Sequence, residues 1–236
     1  MHLGGWLFYA LLLGVLCGTA PTSLAGTIGF PVPRQQPLHL RFELVGDSFK
    51  EAITGDEDGE ANSGRGLVSV ALGVTEWSEI YGRFGAAEFN LDEALFNGNF
   101  GLAYGGGARV RLFKLPWAEV GIFGQYLRFT SEDDDSAGAR VEGEWQEFDV
   151  GLGLGSRRFG VFQFYAGGTY HRSEITLTTA GSGVQTDFES DLPFRAFVGV
   201  HIYPLADFPL GKFLLNLEVR FIGEIPQVTL GAQYAF

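Results

Sequence analysis

The sequence predicts an all-β chain folded as an antiparallel, up-and-down barrel of about ten strands, with eight or twelve strands as the alternatives. Three observations predict it. Apolar and polar residues alternate with period two in segment after segment. Turn-forming residues separate those segments about every twenty residues. No run of eighteen apolar residues offers a helix that could cross a membrane, so any crossing would be made by strands, whose signal is weakened by alternation.

The amino-terminal 25 residues stand apart. They contain no Lys, Arg, Asp or Glu, and Trp6 to Leu16 is apolar or small throughout. That stretch is too short to span a bilayer as a helix but has the length of a secretory apolar region, and Ser23-Leu24-Ala25 supplies small residues for cleavage before Gly26. We therefore expect residues 1–25 to be a signal peptide, although His2 is the only basic-type residue ahead of the apolar run. Cys17, the only cysteine, raises the alternative of a lipidated chain, but Gly14-Val15-Leu16 fits that poorly. A mature chain without cysteine has neither disulfides nor thiolate chemistry. Pro31, Pro33 and Pro37 then mark residues 26–37 as an extended periplasmic lead-in, and 38–236 as a single barrel domain.

Strands are expected at 38–46, 66–75, 80–90, 100–113, 117–130, 144–156, 160–177, 192–203, 212–222 and 227–236. In the clearest case Phe213, Leu215, Leu217, Val219 and Phe221 share one face, while Asn216, Glu218 and Arg220 share the other. Likewise Leu38, Leu40, Phe42 and Leu44 oppose His39, Arg41 and Glu43. Alternation alone does not say which face is outside, since a soluble barrel buries its apolar face. Loop lengths point to the membrane. Connections 46–65, 131–143 and 178–191 are long and polar, those at 76–79, 114–116 and 157–159 are short, and this asymmetry matches long outer loops and tight periplasmic turns. Aromatic residues gather near both sets of turns, and Trp77, Trp117, Tyr203 and Trp145 are expected to belong to interfacial girdles.

The last segment places Val228, Leu230, Ala232, Tyr234 and Phe236 on one face, and the sequence ends on that aromatic residue. Such an ending resembles the sorting signal read by the bacterial barrel-assembly machinery. With the signal peptide and the alternating strands, it makes the chain resemble a small bacterial outer-membrane β-barrel of the broad OmpA-like or porin-like type. The resemblance covers about residues 38–236 and implies a multi-pass transmembrane barrel in the outer membrane with both termini periplasmic. Its implied partners are outer-membrane lipids, lipopolysaccharide and the assembly machinery. It selects no functional subfamily and leaves the oligomeric state open.

With the apolar faces outward, the lumen collects Arg41, Glu43, Arg83, Arg109, Arg111, Glu119, Glu147, Asp149, Arg195, Glu218 and Arg220, together with His39, His171 and His201. Near balance of charge implies a self-neutralising ion-pair network, because unpaired charges in a narrow lumen are costly to desolvate. Glycines on that face, among them Gly151, Gly153 and Gly155, leave room for long Arg side chains. The net charge of −12 is assigned mostly to the loops, where Asp47, Glu51, Asp56, Glu57, Asp58 and Glu60 fill the first and Glu132 to Asp135 the third. So acidic a surface excludes nucleic acid as a partner. Neither acidic run has the spacing of a calcium loop.

No catalytic residue, cofactor or metal site is expected. His171 and Ser173 share a strand face, with Asp187, Glu189 and Asp191 as possible orienters, a spacing that resembles lipid A deacylase barrels. Their predicted lumen-side position argues against that chemistry. An omptin-like protease is the other enzymatic alternative. The sequence thus favours a non-enzymatic outer-membrane barrel with a largely charge-plugged lumen, acting structurally or through its outer loops; the rival is a narrow porin-like channel for small solutes.

Overall fold

The computed structural model describes residues 29–33, 36–55, 59–92, 96–134, 139–180, 183–190, 193–203, 212–222 and 225–235. The expected signal peptide with Cys17, the terminal Phe236, and the loop residues Asp56–Asp58, Asp135 and Asp191 lie outside them. The described residues form twelve strands: β1 (Leu40–Thr54), β2 (Gly59–Thr75), β3 (Ser78–Leu91), β4 (Phe96–Asn97), β5 (Gly101–Lys114), β6 (Ala118–Asp134), β7 (Arg140–Ser156), β8 (Phe162–Thr179), β9 (Gln185–Ser190), β10 (Phe194–Ile202), β11 (Lys212–Ile222) and β12 (Ile225–Ala235). Every pairing is antiparallel, and ten strands close a ring in the order β1-β2-β3-β5-β6-β7-β8-β10-β11-β12.

The seam is β1 against β12, where Arg41 stands opposite Ala235 and Asp47 opposite Thr229. Val228, Leu230, Ala232 and Tyr234 share the strand face opposite the buried Gln227, Thr229 and Gln233. Closure gives each of the ten ring strands a partner on both sides.

The two ends of the barrel differ. At the short-turn end the full ring is present. Toward the other end β10, β11 and β12 stop, and β9 takes their place. Its residues pair with β8 (Thr178 opposite Gln185) and then with β1 (Ile53 opposite Ser190). Three strands are thus replaced by one, and the far end narrows.

Several expected loops are strand. Residues 46–65 form most of a β1–β2 hairpin, 131–143 continue β6 and β7, and 178–191 contain β9. Their sequence disguises this by inverting the usual sidedness. On β7, outward Phe148, Val150, Leu152 and Leu154 are exposed, but further along the same face come Glu142, Glu144 and Gln146. The inward face changes in the opposite sense, from Asp149 and Glu147 to fully buried Trp145. Strands β1, β3 and β6 repeat the pattern, with Phe49, Phe89 and Phe129 inside. The period of two never breaks. What changes is the outer face itself, apolar over one span and polar beyond it, so the far part of the barrel has the polar outside and apolar inside of a soluble barrel.

The interior holds two apolar clusters and a buried charge network. One cluster surrounds Trp145 in the far part, with Phe89, Phe129, Phe49, Ile175 and Phe188 among its members. Trp145 stacks on Phe129 at 5.6 Å and meets Phe49 and Phe89 edge-on at 5.2 and 5.5 Å. The second cluster, nearer the short turns on the β6–β10 side, is formed by Phe123, Tyr165 and Phe197 with Phe30 and Val32 from ahead of β1.

That last contribution corrects the lead-in. Residues 29–33 are buried inside the barrel. Phe30 stacks on His201 at 5.3 Å and packs edge-on against Tyr165 at 5.7 Å. Its ring occupies the space where a side chain at Gly155 would stand, and Pro31 does the same at Gly153. These glycines, expected to make room for arginines, accommodate an inserted segment of the chain instead.

Candidate functional site: the buried charge layer

Inside the ring, alongside the two apolar clusters, six arginines (Arg41, Arg65, Arg83, Arg109, Arg195, Arg220) and seven carboxylates (Glu43, Asp47, Glu51, Glu79, Glu147, Asp149, Glu218) are buried among the described residues. Each comes from an inward strand position, so the alternation that makes the outside apolar delivers them all to one layer. Burial at this depth requires partners, since a lone charge there is very costly.

Glu79 is the hub on one side. Its Oε1 accepts from Arg41 at 2.7 Å and from Arg109 at 2.8 Å, and Arg109 lies over the Tyr81 ring at 4.4 Å. The Tyr81 hydroxyl and Arg83 donate to Gln125 Oε1 at 3.1 and 3.0 Å, and Gln125 Nε2 donates to Asp149 Oδ2 at 2.8 Å. Asp149 Oδ1 is 2.8 Å from His171 Nδ1, whose Nε2 lies 3.4 Å from Glu51 Oε1. Glu51 also accepts from Ser173 at 3.2 Å and from Arg195. The contacts therefore run from β1 and β3 through β6, β7 and β8 to β10. They tie most of the ring together.

Two further groups join this layer to the apolar ones. Arg65 pairs with Glu147 at 2.8 Å, and its guanidinium lies over Phe49 at 4.1 Å and Phe129 at 4.9 Å, an arrangement that satisfies the cation from both sides. At the other boundary Glu218 accepts from the Tyr165 hydroxyl and from the Gly29 backbone N–H, both at 2.8 Å. The inserted segment is thereby anchored to the charge layer. Arg220 donates to Glu218 at 3.2 Å and Gln233 to Glu43 at 2.7 Å. Asp47 is the exception, with neither carboxylate oxygen hydrogen-bonded although it stands opposite Arg65 and Thr229 in the sheet.

Of the residues expected in the lumen, Arg41, Glu43, Arg83, Arg109, Glu147, Asp149, Arg195, Glu218 and Arg220 are in this layer. Arg111 and Glu119 pair at 3.3 Å nearer the short turns, with about a fifth of each side chain exposed (22% and 23%). His39 is exposed, with its ring Nδ1 3.1 Å from the Pro37 carbonyl, whereas His201 is fully buried. Trp77 and Trp117 are exposed beside the short turns and Tyr203 is half-buried there. Trp145 does not join a girdle. It shares a face with Glu147 and Asp149, and that parity carries it into the far apolar layer.

Four charged members were not expected. Asp47, Glu51 and Arg65 fell in the supposed first loop, and Glu79 beside a turn. A signal existed: Val45, Asp47, Phe49, Glu51 and Ile53 alternate with small or polar residues, but the inward set mixes charge with apolar residues.

The hydrolytic alternative rested on His171 and Ser173. In the structure Ser173 donates to Glu51 and not to His171, and His171, Ser173, Glu51 and Asp149 are each at most 2% exposed. Glu189 and Asp187 engage Arg172 and Thr176 on the outer surface. The expected Ser–His pairing needs the two side chains within hydrogen-bond reach, and Ser173 engages Glu51 instead. Among the described residues, no three His, Asp or Glu are grouped as metal ligands would be.

No protein-family model and no curated protein sequence matches the chain. Solved structures do. The translocator domain of the autotransporter NalP from Neisseria meningitidis is 11% identical over 98% of this chain and 94% of its own, with a TM-score of 0.49. The outer-membrane protease OmpT from Escherichia coli is 10% identical over 85% and 97%, with a TM-score of 0.46. Ail, the attachment invasion locus protein of Yersinia pestis, is 14% identical over 85% and 100%, with a TM-score of 0.38. At such identities no residue role passes from one protein to another. The all-β barrel of this chain is shown by its own strand pairing.

Proposed function

We propose that the protein is a closed, non-enzymatic barrel of the outer membrane, acting structurally or through the part that projects beyond the bilayer, and not by passing solutes. The observation that carries this reading is the filled interior. The Trp145 cluster, the cluster that seats Phe30 and a network of Arg and carboxylate side chains are all buried inside the ring, which supports a lumen without an open water path. A conducting pore needs a continuous polar path.

The outer face supports an orientation. The outer face nearest the short turns is apolar and the far outer face carries ion pairs such as Arg128–Glu144 and Arg172–Glu174, both at 2.6 Å. On this reading the short turns and both termini are periplasmic and the polar end faces outward, toward lipopolysaccharide. The assembly machinery would recognise the β12 face that includes Val228, Leu230, Ala232 and Tyr234, with Phe236 beyond it.

Two measurements test the proposal. In liposomes containing the folded protein, swelling with small sugars and amino acids should proceed no faster than in empty liposomes; solute-selective swelling would refute closure. On intact cells, a membrane-impermeant maleimide should label Val184→Cys, at the exposed far end, and spare Gly160→Cys in a short turn. The opposite pattern would reverse the orientation.

A further inference from the structure

The wall of the barrel closes at one place over a very short ladder. Among the described residues β9 pairs with β1 only through Ile53 opposite Ser190 and Thr54 opposite Glu189, whereas β12 faces β1 all the way from Arg41 to Asp47. Between those two ladders, residues 48–52 of β1 have no described strand beside them on that side. The Gln227 side chain reaches across instead and donates its Nε2 to the Lys50 carbonyl. On its other edge β9 loses register with β8, because Glu174 faces Glu189 while Tyr170 faces Phe194, five steps along one segment for four along the other. The facing pair Glu174 and Glu189 is like-charged, and Arg172 serves both, at 2.6 and 3.3 Å. Like charges directly opposite weaken a strand pair. The ladders alone therefore hold β9 weakly.

What closes this junction lies inside. Glu51 is buried and points inward from the stretch of β1 between the two ladders. It accepts from Arg195 of β10 and from Ser173 of β8, and lies 3.4 Å from His171 Nε2. In ring order β11 and β12 stand between β10 and β1, so the Arg195 contact crosses the interior instead of following the sheet. Strand β8 passes the grip on to the chain between β9 and β10: Ser173 donates its backbone N–H to the Ser190 hydroxyl at 3.1 Å, and His171 donates its own to the Pro193 carbonyl at 2.6 Å. The charged groups facing His171 are Asp149 of β7 at 2.8 Å, Glu51 and Arg195, with Arg220 of β11 near Asp149. Glu147, the next inward residue of β7, is taken by Arg65. An imidazolium attracts both flanking carboxylates, whereas a neutral imidazole keeps one N–H and turns a lone pair to the other side.

We propose that β9 is a flap that swings away from β1, and that Glu51, gripped by His171 and Arg195, is the latch that keeps it shut. What the flap covers is apolar. Phe188 of β9 and Ile53 of β1 are both buried in the cluster around Trp145. Phe188 also lies so close to Gly55 that a side chain there would strike its ring, and the glycine lets the end of β1 settle against the flap. Opening uncovers the far cluster from the side, whichever way that end of the barrel faces. The latch weakens as the pH rises, because loss of the His171 proton removes a cation from between Glu51 and Asp149 and leaves Arg195 alone across the junction.

Hydrogen exchange of the folded protein in detergent, read by mass spectrometry, tests the latch. Raising the pH from about 6 to about 10 should lower the protection of β9, corrected for the intrinsic exchange rate, about tenfold or more while β6 and β7 keep theirs, since sub-global opening exposes only the element that moves. Glu51→Gln should produce the same selective loss at the lower pH. His171→Gln should produce it as well and flatten the pH profile, and together with the wild-type profile it carries the test should Glu51→Gln fail to fold. A disulfide formed in Thr54→Cys/Glu189→Cys, at facing positions on the exposed side, should restore the protection of β9 to the Glu51→Gln chain. Glu79→Gln, which removes a buried anion from the side of Arg41 and Arg109, should not single out β9. Protection lost evenly over all strands in Glu51→Gln, or a wild-type pH profile that survives His171→Gln, would overturn the latch.

Discussion

Glu79 shows how much of the barrel's integrity is held by single side chains. It is fully buried and is the shared acceptor for Arg41 and Arg109. Glu79→Ala leaves two guanidiniums without their anion and should cost about 3–5 kcal/mol, the usual penalty for breaking a buried pair from one side. Arg111→Ala, at a site open to water, should cost no more than about 1 kcal/mol. Urea unfolding of liposome-reconstituted protein, followed by tryptophan fluorescence, measures both, and equal losses would mean that the layer is hydrated. Trp145→Ala should cost about 3–5 kcal/mol as well, by opening a cavity in the far cluster. The position of Trp145 was legible in the sequence through its spacing from Glu147 and Asp149. The expectation of a girdle followed residue type where parity carried the information.

At the scale of elements, the segment Gly29–Pro33 is the part that periodicity alone does not reveal. It has no alternation and three nearby prolines, so it reads as a linker. Its place in the lumen is written elsewhere, in Gly121, Gly153 and Gly155 on strands β6 and β7, whose missing side chains shape the space for Pro31 and Phe30. A pocket made by deletion of side chains is visible only when the strands are brought together. Gly155→Leu should therefore expel the segment. Limited proteolysis from the short-turn side should then cleave within residues 29–33, which wild type protects; protection in both proteins would contradict the insertion. The strands themselves were legible wherever one face was wholly apolar, as in β11. They were missed at 46–65 and 178–191, where the inward face changes from charged to aromatic and the outward face from apolar to polar.

For the whole molecule, the inversion along each strand is the organising fact. One alternating pattern serves two surroundings, so the barrel has an apolar belt outside a charged layer at one level and a charged surface outside an aromatic core at another. Fold class followed from period and turn spacing, both local in sequence. Closure of the lumen did not, because it depends on β9 replacing three strands and on Phe30 packing with Phe123, Tyr165 and Phe197 of β6, β8 and β10. The net charge of −12 also divides differently from its apparent placement in loops. Asp47 and Glu51 are inside, and Glu132 and Glu144 are paired on the outer wall with Arg140 and Arg128. Surface charge at the far end should accordingly be more balanced than composition implies, and ionic strength should change barrel stability by less than about 1 kcal/mol, as measured by unfolding in low and high salt.

Closure of the lumen by two apolar clusters and a buried charge network is tested most directly by ion current. Purified, folded protein inserted into a planar bilayer in symmetric potassium chloride should give no steady conductance above that of the bare membrane. A stable, ion-selective single-channel current from the wild-type protein would contradict the account.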